Sequence, residues 1–163
     1  MDGSPQSGNL SVSGSTEITR TVSAVIVYDE LSISFDNPAT DSMGYDHVSG
    51  KLYCGRDQLE LQFKVKDRAF RKNEIRTVIF EYSEVESIEV LSRWFRPKRL
   101  IFQTPKAERL EDFPGAQVGR IELQVLRASS ESAEKISALI QYKQSEAFLA
   151  ESETRLNQLR ENS

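Results

Sequence analysis

Few residues in this chain have the types and spacing that chemistry requires, and they fall into four groups. The single histidine, His47, follows Asp46, and an Asp–His pair can support proton transfer. The single cysteine, Cys54, cannot close an internal disulfide, and one histidine cannot build a His-rich metal site. Two clusters of cations stand apart from the rest: Lys64, Lys66, Arg68, Arg71, Lys72 and Arg76, then Arg93, Arg96, Lys98 and Arg99. Trp94 and Phe95 sit inside the second cluster, where aromatic rings beside Arg could stack on bases or dip into a membrane interface.

Each group also has a plainer reading. An Asp–His pair is not a catalytic site without a nucleophile or metal and an oxyanion stabiliser, and no motif in the chain supplies them. Cys54 shares the inward side of a strand with Leu52, so it is expected to be a small buried hydrophobe. Residues 62–99 hold ten Lys or Arg and six Asp or Glu, net +4, so the remainder must total −8. If both basic loops lay at one end of the fold they would form a positive patch for phosphates or an acidic partner. The plainer expectation is a pair of solvated loops. For Trp94 the general burial of large aromatics favours packing, one ring capping the end of a β-core and the other covering a helix.

Composition bounds the remaining possibilities. The 163 residues suit one domain, with 38% apolar and 28% charged residues. A net charge of −4 gives no general attraction to nucleic acid or to anionic membranes, so binding of either would need a local patch. No window carries the ~20 apolar residues of a membrane span, and the first residues lack a signal peptide's basic start and apolar stretch. A reducing, cytoplasmic location is the expectation. There is no Gly-rich phosphate loop, metal spacing or nucleophile elbow, so neither an enzyme nor a cofactor is expected.

The elements that must position these residues follow from periodicity. Residues 1–21 are a Ser/Gly-rich segment expected to be a disordered tail, with order beginning near Val22. Residues 23–36 form either two short strands or one long bent one. Residues 50–54 lead through the turn 55–57 into Leu59, Leu61, Phe63 and Val65, which alternate strictly with polar residues. Such alternation puts one face on a core and one in water, as in an antiparallel sheet. Further strands are expected at Ile75 to Tyr82, around Ile88 and Val90, around Leu100 and Phe102, and at Ile121 to Val125. Residues 83–85 read as a turn or single helical turn, and 106–115 as a polar connection. From Ser130 the period changes: Ala133, Ile136, Leu139, Ile140 and Lys143 follow helical spacing, with N-cap oxygens from the serines at 129–132. No Gly or Pro interrupts the chain to Ser163, so the helix is expected to run about 30 residues.

About seven strands and one closing helix, in the order of a mainly β domain, suit a partly open antiparallel barrel or sandwich capped by one long α-helix. At this point the chain resembles the pleckstrin-homology-like superfamily, and within it the GRAM-like and bacterial PH-like domains. The run FEYSEVESIEV at 80–90 carries the likeness as a strand–turn–strand. The segments RWF at 93–95 and LIF at 100–102 follow as middle strands, and SAEKI at 132–136 opens the closing helix. The likeness covers roughly residues 48–143. It implies a scaffold that binds phosphoinositides, peptides or proteins, rarely with catalysis. Where such domains bind phosphoinositides, basic residues of the first hairpin make the contact, and here the turn at 55–57 offers Arg56 alone.

Two functions are therefore expected of a non-catalytic module. One is protein–protein interaction or self-association through the helix. The other is peripheral membrane or phosphoinositide binding through Arg68, Arg71, Lys72, Arg93, Arg96, Lys98 and Arg99. A closing helix needs about four turns, which makes 22–143 the domain and 144–163 a helical extension. In that extension Tyr142, Leu149 and Leu156 recur every seven residues, as do Ser145, Ser152 and Leu159. A heptad seam of this kind would pair two helices, with Trp94 a further candidate for partner contact. The plainer reading folds Phe148 and Leu149 back onto the sheets.

Overall fold

The computed structural model describes residues 30–66 and 74–162. It has seven antiparallel strands in two sheets and one long C-terminal helix, and the sheets do not close into a barrel. The first sheet is a meander of β1 (Leu31–Asn37), β2 (Val48–Cys54), β3 (Gln58–Val65) and β4 (Arg76–Glu81). The second is β5 (Ser87–Leu91), β6 (Arg99–Gln103) and β7 (Arg120–Gln124), and α1 (Ser130–Glu161) follows. The question of one strand or two at 23–36 is answered only for Leu31–Asn37. The run at 23–28, the expected start near Val22 and the tail at 1–21 lie outside the described residues.

Alternation sorts the inward faces as the sequence implies. Ile33, Phe35, Leu52, Cys54, Leu59, Leu61, Phe63, Phe80, Leu100, Phe102, Ile121 and Leu123 are buried between the sheets. Phe35, Gly50 and Phe63 are direct cross-strand partners. A Cβ on Gly50 would lie 2.0 Å from the Gln62 carbonyl oxygen and 2.9 Å from the Phe35 ring, so only glycine admits this approach.

The two sheets join along β1 and β7. Phe35 bridges Val125, the Ser34 carbonyl accepts from the Leu126 amide, and the Asn37 side chain bonds Glu122 and Gln124 backbone groups at 2.6 and 2.7 Å. Ser129 occupies the N-cap position of α1 without capping it. Its hydroxyl instead accepts the Ser34 amide at 2.9 Å, satisfying an edge N–H of β1. At the other side a single 3-10 turn, Tyr82–Glu84, turns the corner from β4 to β5. Tyr82 opens that turn rather than ending β4, and its buried hydroxyl donates to the Gly55 carbonyl at 2.6 Å. The exposed carbonyls here are covered by side chains: Arg109 donates to Ile79 and Ser137 to Ile88. Covered edges discourage pairing with foreign strands.

The polar connection at 106–115 does more than link strands. Leu110 and Phe113 are buried, and the Phe113 ring packs on Phe63 at 5.1 Å and Phe35 at 6.2 Å. The helix closes the core with Ala133, Ile136, Leu139 and Ile140. Gln144 then ties it to the corner by donating to the Tyr82 and Val85 carbonyls at 3.1 and 2.8 Å. Lys143 is the last buried residue of α1, while the helix continues to Glu161, about 48 Å from its start at 1.5 Å per residue.

Candidate functional site

His47 has a different partner from the expected one. Asp46 turns back into its own loop, accepting the Thr40 hydroxyl and the amides of Thr40 and Asp41. The Thr40 hydroxyl, followed by these further bonds, holds the Asp46 carboxyl well below the usual carboxylate range. The imidazole Nε2 instead lies 2.5 Å from Asp36 Oδ1. Asp36 and Ser49 are cross-strand partners, and with His47, Lys64 and Lys66 they line an open groove of about 300 Å³. The hydrogen bonds of the described residues link His47 to Asp36 and not to Ser49, which lies beside this contact.

Cys54 is buried, and burial pushes its thiol up to about 12. A thiol held protonated in an apolar site is inert, as its strand position implied. Among the described residues no three or more His, Cys, Asp or Glu side chains gather as a metal site, and no helix is long and apolar enough to cross a membrane.

The two basic clusters fare differently. Arg68, Arg71 and Lys72 lie outside the described residues. Lys98 pairs with Glu134 and donates to the Ser130 carbonyl, Arg99 pairs with Glu122 at 2.8 Å, and Arg76 with Asp112 at 3.2 Å. Those cations are locally neutralised. Arg93 and Arg96 are exposed and make no ion pair among the described residues.

Between these two arginines the expected packing of Trp94 fails. The Arg96 amide donates to the Arg93 carbonyl at 3.2 Å, closing a β-turn with Trp94 and Phe95 at its centre. Trp94 is 84% exposed and Phe95 97% exposed, the rings packing on each other at 5.8 Å. Phe95 has φ 64°, a left-handed conformation that suits glycine and strains a bulky residue. The turn therefore aims both rings away from the core, and no neighbouring element covers them. Exposure of the two rings could not be read from residue type, because burial statistics for aromatics take no account of a turn's backbone.

The helical extension also departs from the plainer expectation. Phe148 and Leu149 do not fold back: they are 68% and 60% exposed, and Leu156 and Leu159 are 57% and 66% exposed. The reason is angular. Ile136, Leu139, Ile140 and Lys143 face the sheets, and at about 100° per residue Tyr142, Phe148, Leu149, Leu156 and Leu159 fall roughly half a turn away. Fold-back would require breaking the helix, and nothing in its sequence breaks it. Ser145 and Ser152 lie within the same stripe, and their hydroxyls donate to the Gln141 and Phe148 carbonyls one turn back, at 2.8 and 2.9 Å. These two polar positions are thus satisfied within the helix. Phe148 belongs to the stripe beside the heptad residues, and its neighbouring angular position was the available signal.

Under the helix, an open groove of about 490 Å³ is lined by Arg56, Asp57, Glu81, Lys143, Glu146 and Ala150 among others. Lys143 is buried along its stem, and its Nζ is 3.9 Å from Glu146. The groove mixes both charges and shows no selection for one kind of ligand.

No protein-family model matches this chain, and no curated protein matches it in sequence.

Proposed function

We propose that this chain is a non-catalytic binding module of pleckstrin-homology-like type that self-associates through the far side of its C-terminal helix. Two sheets joined along one edge, with a helix sealing the core, suit the resemblance read from residues 48–143. The observation that carries the reading is the exposed stripe of Tyr142, Phe148, Leu149, Leu156 and Leu159 on a helix that outruns its own domain.

A second copy is the occupant the stripe fits best. Leu149, Leu156 and Leu159 occupy heptad positions that repeat on any other copy, so a two-fold pairing covers the same surface twice. Each of the five side chains still exposes on the order of 100 Å², about 1,000 Å² for a pair, and flanking residues bring this to the lower end of a specific interface. The two serines enter such a seam without unmet hydroxyls and, being small, let the helices approach closely. The Arg155–Glu151 and Lys135–Glu131 pairs support the helix itself.

Light scattering on the full chain and on the double variant Leu149→Asp/Leu156→Asp tests this. The variant should be monomeric at concentrations where the parent is dimeric, with its fold intact by circular dichroism. An unchanged mass for the variant would exclude the stripe as the interface.

A further inference from the structure

We infer that the turn joining β5 and β6 docks on the surface of an anionic lipid bilayer, Trp94 and Phe95 entering the interface while Arg93 and Arg96 meet the headgroup phosphates. The inference rests on observations separate from those behind self-association, at the other end of the molecule. Lys98, at the foot of the turn, contacts Ser130 and Glu134 in the first turns of α1, whereas the apolar stripe begins at Tyr142 and runs to Leu159.

Three features of the turn point to a bilayer. First, the rings are more exposed than any other large apolar side chains of the described residues except Val118, and they touch each other, so they protrude as one wedge. Aromatic rings of this kind settle at the level of lipid headgroups. Second, residues 91–99 contain four cations and no carboxylate, in a chain whose net charge is −4. Lys98 and Arg99 are held by Glu134 and Glu122, which leaves Arg93 and Arg96, one on each side of the rings, for phosphate. Third, Phe95 keeps a left-handed backbone where glycine would relieve strain. An outlier at an exposed tip is the form that functional strain takes. A protein partner would need a pocket around a convex wedge, whereas a bilayer accepts the wedge and neutralises both arginines at once. Leu91 and Leu126, 39% and 44% exposed, extend the apolar surface at the foot of the turn.

Trp94 is the only tryptophan, so intrinsic fluorescence reports on the tip itself. Vesicles of phosphatidylcholine with 30% phosphatidylglycerol, on the order of those used to mimic anionic leaflets, should shift its emission to the blue. Pure phosphatidylcholine should not, and added salt should weaken the response. Arg93→Ala/Arg96→Ala retains the reporter and should bind roughly thirty-fold more weakly, from about fivefold per basic residue at an anionic surface. Phe95→Gly should bind more weakly while remaining folded. An emission maximum unmoved by anionic vesicles at millimolar lipid overturns the inference. So does quenching by a single-stranded oligonucleotide with no response to vesicles, which would assign the rings to base stacking. Equal affinity of the double Arg variant would remove the arginines from the contact and overturn the geometry proposed. Leu149→Asp/Leu156→Asp should keep the vesicle response at high lipid, so a monomeric parent would leave this test standing.

Discussion

Replacing Phe95 by glycine should stabilise the fold while weakening the contact that the turn makes. Phe95 has φ 64°, and its ring is 97% exposed, so it returns almost no packing energy for its backbone strain. A left-handed conformation costs an L-residue roughly 1–2 kcal/mol, and glycine escapes that cost. Glycine also makes the unfolded chain more flexible, which offsets about 0.5–1 kcal/mol. The net gain is about 0.5–1 kcal/mol. For a folded unit of roughly 130 residues, an unfolding entropy of ~0.27 kcal/mol/K converts this to a Tm rise of about 2–4 °C. Phe95→Ala is the control, because alanine removes the ring and keeps the strain. Differential scanning calorimetry on the three proteins should rank Phe95→Gly above both the parent and Phe95→Ala. If Phe95→Gly melts at or below Phe95→Ala, the turn is not strained by its side chain and the argument from strain fails.

Other consequences follow from the core and from the turn before β7. Gly50→Ala should cost about 2–3 kcal/mol in urea denaturation, because its Cβ would meet the Gln62 carbonyl oxygen at 2.0 Å and the Phe63 Cα at 2.8 Å, both backbone atoms. Val118, 93% exposed at φ 44° in the tight turn before β7, should gain about 1 kcal/mol on replacement by asparagine, read as a higher urea midpoint. The Cys54 thiol is raised by burial to about 12 in the fold, against ~8.5 in an unfolded chain. Its contribution to stability is therefore complete below pH ~8.5 and declines as pH rises toward 12, by up to ~1.4 kcal/mol per unit. Cys54→Ala should remove that part of the alkaline decline, measured as the urea midpoint against pH.

Much of the fold was legible because β-sheets write a period of two into the sequence. The alternation from Leu59 to Val65, the inward Cys54 and the change of period at Ser130 all follow from side-chain direction alone. The burial of Leu110 and Phe113 is not legible, because isolated apolar residues in a polar connection carry no period. The partner of His47 is hidden from the sequence for a related reason. Asp46 sits in a turn that holds its carboxylate on Thr40 and Asp41, and the carboxylate that reaches the ring comes from Asp36 on the adjacent strand, near the cross-strand partner Ser49. Local preference directs Ser129 to the helix amides, whereas the edge of β1 offers a competing donor ninety-five residues away in the chain. The candidate sites depended on what local pattern cannot supply: Trp94 on a turn's backbone angles, and the stripe from Tyr142 to Leu159 on which face the domain had already taken.

Self-association through the helix is tested most directly by the molar mass of the full chain in solution, measured by light scattering over a range of concentrations. The expected mass is twice the 18.5 kDa of one chain, falling to a single chain when the protein is truncated after Lys143. A single-chain mass for the full-length protein at every concentration, or a dimer that survives the truncation, would contradict it.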